Sequence, residues 1–465
     1  MSTAWVLFGI YAVATAALAI VAGRDTGSAR GFAIGTGAMS PWVVGVTLGA
    51  TLASSATFVL FPGFVYADGL AGLIGFSLPF ISGIFLGLAV FAPRFQAIGA
   101  PAEALTVPHW LGARYRDLGL RRLFAALQVL NVAYLVLIVV GCGYVVEAAL
   151  GLSYEVAIVG ITTFVFGYTA LGGATAHAFT NTLQGLMMLV VSVAVFVSGL
   201  HTWPEAWASL ADSGLTSPGS RLFSSHFEVW GVMFLVGLGI TTQPHLLSKA
   251  LYVTGPNALR TMLLIGMVIY ATYALMLLAG AYARVMLPAD IAQDRVVAEY
   301  VQIAFSWPPI GAAISVAILA ASMSTMDGLL VAIAASVGND VFPGKGTVWL
   351  NRLVLAGLAV ATLVIAWSPP KLVLIIGQIG VYGIVASSVG PLIAGLGTRR
   401  PLQSWPAWLS ALVPLTIHMV GSLTVISNPG VSAVVAMAVG VPLALIAWVL
   451  PSPDETPDRV PAEAP

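Results

Sequence analysis

Asp327 follows the run Ala321-Ser322-Met323-Ser324-Thr325 in the middle of a long apolar stretch. An ionisable side chain at the centre of a membrane-spanning helix costs at least ~2.5 kcal/mol on insertion scales, so its default reading is functional. The chemistry open to it is cation coordination or uptake of a proton. Two other apolar stretches are interrupted. Residues 49–63 read GATLASSATFVLFPG, with small and hydroxyl residues at the centre, and residues 237–249 read GLGITTQPHLLSK. Pro244 inside a helix removes an N–H and frees a carbonyl. Backbone that leaves helical geometry within a bilayer must line a cavity or be buried in protein. Freed carbonyls and hydroxyls are the neutral oxygens that hard cations take. Nothing comparable points to an enzyme. No GxxxxGK[ST] loop offers ATP as an energy source, and no HExxH pair offers a zinc protease. The single cysteine, Cys142, excludes an intrachain disulfide and a cysteine-based metal site.

The elements that must hold these residues are membrane helices. Of 465 residues, 59% are hydrophobic and 8% charged, against roughly 25% charged in a soluble protein. So few charges cannot cover a water-soluble globule of this size. Eighteen basic residues balance eighteen acidic ones, so no net charge draws the chain to nucleic acid. The composition predicts an all-α polytopic membrane protein in contact with lipid, with no obligate protein partner evident. Thirteen stretches are long enough to span, at about residues 3–22, 41–67, 70–96, 122–150, 154–172, 178–200, 228–252, 259–286, 302–337, 349–368, 371–396, 406–427 and 430–450. With these spans, 14 of the 18 Lys and Arg fall in one set of alternate loops and 4 in the other. The positive-inside rule then predicts an outside N-terminus and a cytoplasmic C-terminus. The Pro- and acid-rich tail from Pro451 reads as disordered.

The two interruptions lie five spans apart. Each opens a run of five helices, and an odd number gives the two runs opposite topology. Broken segments at matching places in inverted halves are the best sequence pointer to a secondary transporter's binding site. The expected organisation is one extra helix (1–22), a first repeat (41–200), a second (228–396), two further helices (406–450) and a tail (451–465).

At this point the chain resembles the sodium/solute symporter family. The pieces that carry the resemblance are Phe61-Pro62-Gly63 then Tyr66, Thr106-Val107-Pro108 then Leu111, Gly172-Gly173 followed by Thr180 to Gln184, Gln243-Pro244-His245, and the Ala321 to Thr325 run. Their order and spacing are more specific than any one of them. The resemblance implies the leucine-transporter fold and sodium-coupled symport of a small organic solute (a monocarboxylate, a pantothenate-like acid or an amino acid) across the cytoplasmic membrane by alternating access. Alternatives are proton coupling through Asp327 and a solute sensor that no longer transports.

The resemblance also implies sites. Its common sodium site falls on the carbonyls of Ala50, Ala53 and Ala321 and the hydroxyls of Ser324 and Thr325. Many members carry an aspartate after the double glycine, where this chain has Asn181. Asp327 stands on another span, at a position the family uses near that spot. Asn181 and Asp327 are therefore expected to form a second cation site or a proton site. The solute is expected between the broken segments and their neighbours. Thr51, Ser54, Ser55 and Phe58 come from the first, Thr242 and Gln243 from the second, and Gln378 from the eleventh span. Thr57, Thr241 and His245 also come within reach, although His245 reads as a structural hydrogen bonder. His177 reads as a loop residue, and no Lys or Arg is expected at mid-span.

Overall fold

The structure is a computed structural model, and it describes residues 3–23, 27–35, 38–54, 56–341, 347–369 and 373–453. Among these residues there are helices and no strand. Ten helices are long and apolar enough to cross a membrane, or eleven when the bent pair Pro41–Leu52 and Ala56–Asp68 is taken as one. The expected thirteen spans follow the same order along the chain. The fifth and sixth share the stretch Tyr154–Ser198 and are parted by a non-helical kink at Gly173, and the seventh is split into short pieces between Phe227 and Leu251.

The joint within Tyr154–Ser198 is Gly173, with φ 53° and ψ −149°. That backbone region is essentially reserved for glycine. A Cβ here would also press on the Cα and carbonyl oxygen of Phe32. The double glycine therefore redirects the chain at a kink between two helical segments.

Pro308–Ser336 is the central helix. It is apolar all round and its membrane-length window is completely buried, as expected for a helix with protein on every side. It packs against Tyr154–Ser198, Val132–Leu150, Thr3–Ala22 and Pro41–Leu52. Peripheral helices differ. Val348–Ala366 is only sparsely buried, and its exposed side chains include Val360, Val364 and Ile365. Apolar exposure of this kind fits lipid, not water. Trp42, Trp307, Trp349, Trp367 and Trp405 are exposed close to helix ends, the usual depth of interfacial tryptophans.

Two breaks open the middle of the molecule. Pro41–Leu52 ends at Ala53, which is extended (φ −93°, ψ 107°). The chain then resumes as a wide π turn over Ala56–Leu60 and an α-helix over Phe61–Asp68, bent by 53° from the first piece. Phe61-Pro62-Gly63 anchors the far piece. A Cβ on Gly63 would run into the backbone of Gln293, and one on Gly280 into the carbonyl of Pro62. The second break follows Met233–Ile240. Gln243 is extended (φ −61°, ψ 133°), and Pro244 starts the short helix Pro244–Leu247, followed by a 3₁₀ turn over Ser248–Leu251. The proline, lacking an N–H, is suited to the first position of that new helix. Trp405–Thr424 and Pro429–Val449 form a hairpin against Val373–Gly397.

Candidate functional site

The expected sodium ligands converge where the first break crosses the central helix. Ser324 Oγ lies 3.0 Å from the carbonyl oxygen of Ala50 and 2.7 Å from that of Ala321. Thr325 Oγ1 lies 3.2 Å from the carbonyl oxygen of Thr51 and 3.3 Å from that of Ala53. All five expected ligands are buried. Helix termination at Ala53 is what frees the Ala50 and Ala53 carbonyls from a full complement of helical partners. In this arrangement the two hydroxyls donate to the carbonyls. On a cation they rotate and present lone pairs instead. The donor set is neutral oxygen throughout, which suits a hard monovalent ion.

Thr51 ties this corner to the sixth span. Its Oγ1 donates to the Thr47 carbonyl at 2.8 Å and accepts from Asn181 Nδ2 at 2.9 Å. Thr47 in turn donates to the Ala178 carbonyl. Asn181 Oδ1 is buried with no hydrogen-bond partner.

Asp327 has a different set of neighbours from those expected. Its Oδ1 is 2.8 Å from His177 Nδ1. Its Oδ2 accepts from the Tyr168 hydroxyl at 3.0 Å and from Thr180 Oγ1 at 3.2 Å. Asn181 is not among these partners. His177 Nε2 is 3.1 Å from Lys249 Nζ, and that ammonium also donates to the His245 carbonyl at 2.8 Å. Two expectations are corrected here. His177 is not a loop residue, because the helical segment after the Gly173 kink carries it into the core. Lys249 is not at a span end, because the second break turns its segment inward. Lys249 is 1% exposed and Asp327 0%. The signals for this network were the helical four-residue spacing of His245 and Lys249 and the helix-compatible run after the glycines, read across a break that hid them.

A small cavity of about 40 Å³ lies beside the ion corner. Thr51, Ser54, Thr57, Tyr134, His245 and Tyr270 give its polar wall, and apolar side chains such as Phe61, Ile84 and Val381 give the rest. Ser54 Oγ accepts from the Tyr134 hydroxyl at 2.8 Å. Solute pockets run roughly 300–1,000 Å³, so the site is closed down around a volume suited to a few waters. Ser55 lies outside the described residues. Phe58 is not in the wall, and it packs edge-on against Tyr273. Thr242 and Gln243 stand behind the wall. Thr242 Oγ1 is paired with Ser388 Oγ at 2.9 Å, and Gln243 Nε2 donates to the Val381 carbonyl at 2.8 Å. Thr241 likewise donates to its own helix, at the Leu238 carbonyl.

A second cavity of about 500 Å³ lies beyond, lined by Leu60, Phe64, Tyr144, Asp294, Leu374 and Ile375 among others. The π turn and the Val373–Gly397 helix border both spaces, with Thr57 and Val381 on the small one and Leu60 and Ile375 on the large. Gln378 sits on that helix one turn from each of Ile375 and Val381. It is buried, with Oε1 unpartnered. At the end that carries most of the basic residues the protein is latched. Arg121 Nε donates to Asp340 Oδ1 at 2.8 Å, Thr106 donates to Asp340 Oδ2, and Arg114 donates to the carbonyls of Gly395, Thr398 and Arg400.

Comparisons with known proteins find likenesses over most of the chain. The model of the sodium:solute symporter family matches residues 32–394. The sodium/pantothenate symporter of Escherichia coli (strain K12) is 26% identical over 396 residues, covering 81% of each chain. The high-affinity proline transporter PutP of Bacillus subtilis (strain 168) is 26% identical over 436 residues, 88% of this chain and 89% of that one. A solved structure of a Na⁺-coupled sialic acid symporter, substrate-bound and outward-open, superposes with a TM-score of 0.78 at 18% identity over 97% of this chain and 99% of the other. That likeness shows a shared fold, the leucine-transporter fold.

Proposed function

Because the chain belongs to the sodium:solute symporter family, we propose that it carries a small, partly apolar carboxylic acid or amino acid together with sodium. Pantothenate, proline and short monocarboxylates are the solutes to try first, the first two because relatives of this chain are named for them. The observation that carries the ion is the convergence of Ala50, Ala53, Ala321, Ser324 and Thr325 at one crossing. Sodium bound there holds the end of Pro41–Leu52 against the central helix. The same break supplies Thr51, Ser54 and Thr57 to the solute cavity, so filling the ion corner sets the wall that the solute meets. That shared segment is the physical basis for coupling.

The basic-loop excess supports an orientation with the N-terminus outside the cytoplasmic membrane and the C-terminus within. The Arg121–Asp340 latch then lies on the cytoplasmic side and the 500 Å³ vestibule on the outside. Alternating access requires the latch to open as the Leu60 and Ile375 side closes.

The test is uptake by purified protein in proteoliposomes, with labelled pantothenate, proline and short monocarboxylates. Each is run with an inward sodium gradient, an inward proton gradient, or neither. Accumulation driven by sodium and lost in Ser324→Ala and Thr325→Ala is expected. Accumulation driven by protons alone overturns sodium coupling.

A further inference from the structure

A carboxylate at mid-membrane needs a cation, and the cation is either imported with each cycle or built into the protein. Among the described residues, Lys249 is the one buried Lys or Arg. It is joined to Asp327 through a single imidazole. The direction of that line follows from donor chemistry. An ammonium has only hydrogens to give, so His177 Nε2 accepts from it. His177 Nδ1 then carries the ring proton and donates it to Asp327 Oδ1. Tyr168 and Thr180 donate to Oδ2. Both carboxylate oxygens are thus engaged by protein donors, and the opposite charge lies one ring away.

We infer that Lys249, acting through His177, is a built-in counter-ion that takes the place of a second imported cation at Asp327, so that the protein binds a single sodium at the Ala50, Ala53, Ala321, Ser324 and Thr325 corner. The three residues come from three elements. Lys249 follows the second helix break, His177 follows the Gly173 joint, and Asp327 lies on the central helix. The line therefore also clips the second broken segment to the helix that holds the sodium hydroxyls. A bound ion at Asp327 would have to displace the imidazole and bring its charge next to the ammonium.

This inference rests on the sodium reading of the first corner, and one experiment separates the two. Binding of ²²Na⁺ to the purified full chain is counted at saturation for wild type, Asp327→Asn and Lys249→Met. Wild type is expected to bind one sodium per chain. Asp327→Asn is expected to keep that one with an affinity changed by less than about 10-fold. Lys249→Met, with its carboxylate uncovered, is expected to bind a second at pH 9. Two sodium ions on wild type, with one kept in Asp327→Asn, overturn the built-in counter-ion and leave the first corner standing, whereas one on wild type and none on Asp327→Asn overturns both. A count of one for Lys249→Met at pH 9 also overturns the built-in counter-ion. No sodium on wild type overturns the sodium reading itself. If Lys249→Met does not fold, the wild-type and Asp327→Asn counts still decide.

Discussion

Tyr134 shows how a single hydroxyl would serve the proposed solute wall. It comes from the fourth span and holds Ser54 at 2.8 Å, just past the first break. A neutral hydrogen bond of this kind contributes about 0.5–1.5 kcal/mol. Tyr134→Phe is therefore expected to raise the KM for solute by about 2- to 10-fold, with little change in the sodium dependence of uptake. Equal losses in both would show that Tyr134 serves the break as a whole. At this scale the convergence of Ala50, Ala53, Ala321, Ser324 and Thr325 was legible, because these residues belong to motifs close in sequence to a helix break and to a Ser-Thr pair. The pocket was only partly legible. Residue type named Phe58, Thr242, Gln243 and Gln378, but which way a side chain points depends on the local turn. The π turn at Ala56–Leu60 rotates Phe58 onto Tyr273 and leaves Thr57 facing the cavity. Lys249 was missed for the same reason, since a charged residue after a broken helix reads as a helix end.

The elements that matter most are those in which helical geometry fails. Gly173 is the clearest case, because its left-handed φ and its contact with Phe32 leave no place for a side chain. Gly173→Ala is expected to cost about 1–3 kcal/mol from backbone strain alone, measured as a lower melting temperature of the purified protein. His177 lies one turn further on, so the same change should also weaken its bond to Asp327. An unchanged melting temperature would show that the joint is not under this constraint. Breaks at Ala53 and Gln243 were anticipated from the glycines, hydroxyls and Pro244, which are local signals. The joint at Gly173 falls between the two spans expected there, where the double glycine interrupts the apolar pattern.

For the molecule as a whole, hydropathy and charge placement carried most of the architecture. An all-helical membrane protein of the leucine-transporter fold was evident from composition, the spacing of the two breaks and the family motifs. The internal build of each span was not, since a broken span holds its helix in pieces. Orientation remains a matter for labelling. In the proposed topology Asp290→Cys is expected to react with a membrane-impermeant maleimide added to intact cells, whereas Arg399→Cys is expected to react only after the cells are opened. Both positions are exposed, and native Cys142 is buried and stays silent. The opposite pattern would invert the molecule. The line from Lys249 to Asp327 has a consequence at this scale as well. If those two charges cancel each other as proposed, a single sodium is the only net charge that the carrier adds to its cargo. A zwitterion such as proline then crosses with one positive charge, and the membrane potential contributes about 2.3 kcal/mol per 100 mV to its accumulation. A monocarboxylate cancels that charge, so its transport is electrically silent. Its concentration inside can then rise no further than the sodium concentration ratio across the membrane allows.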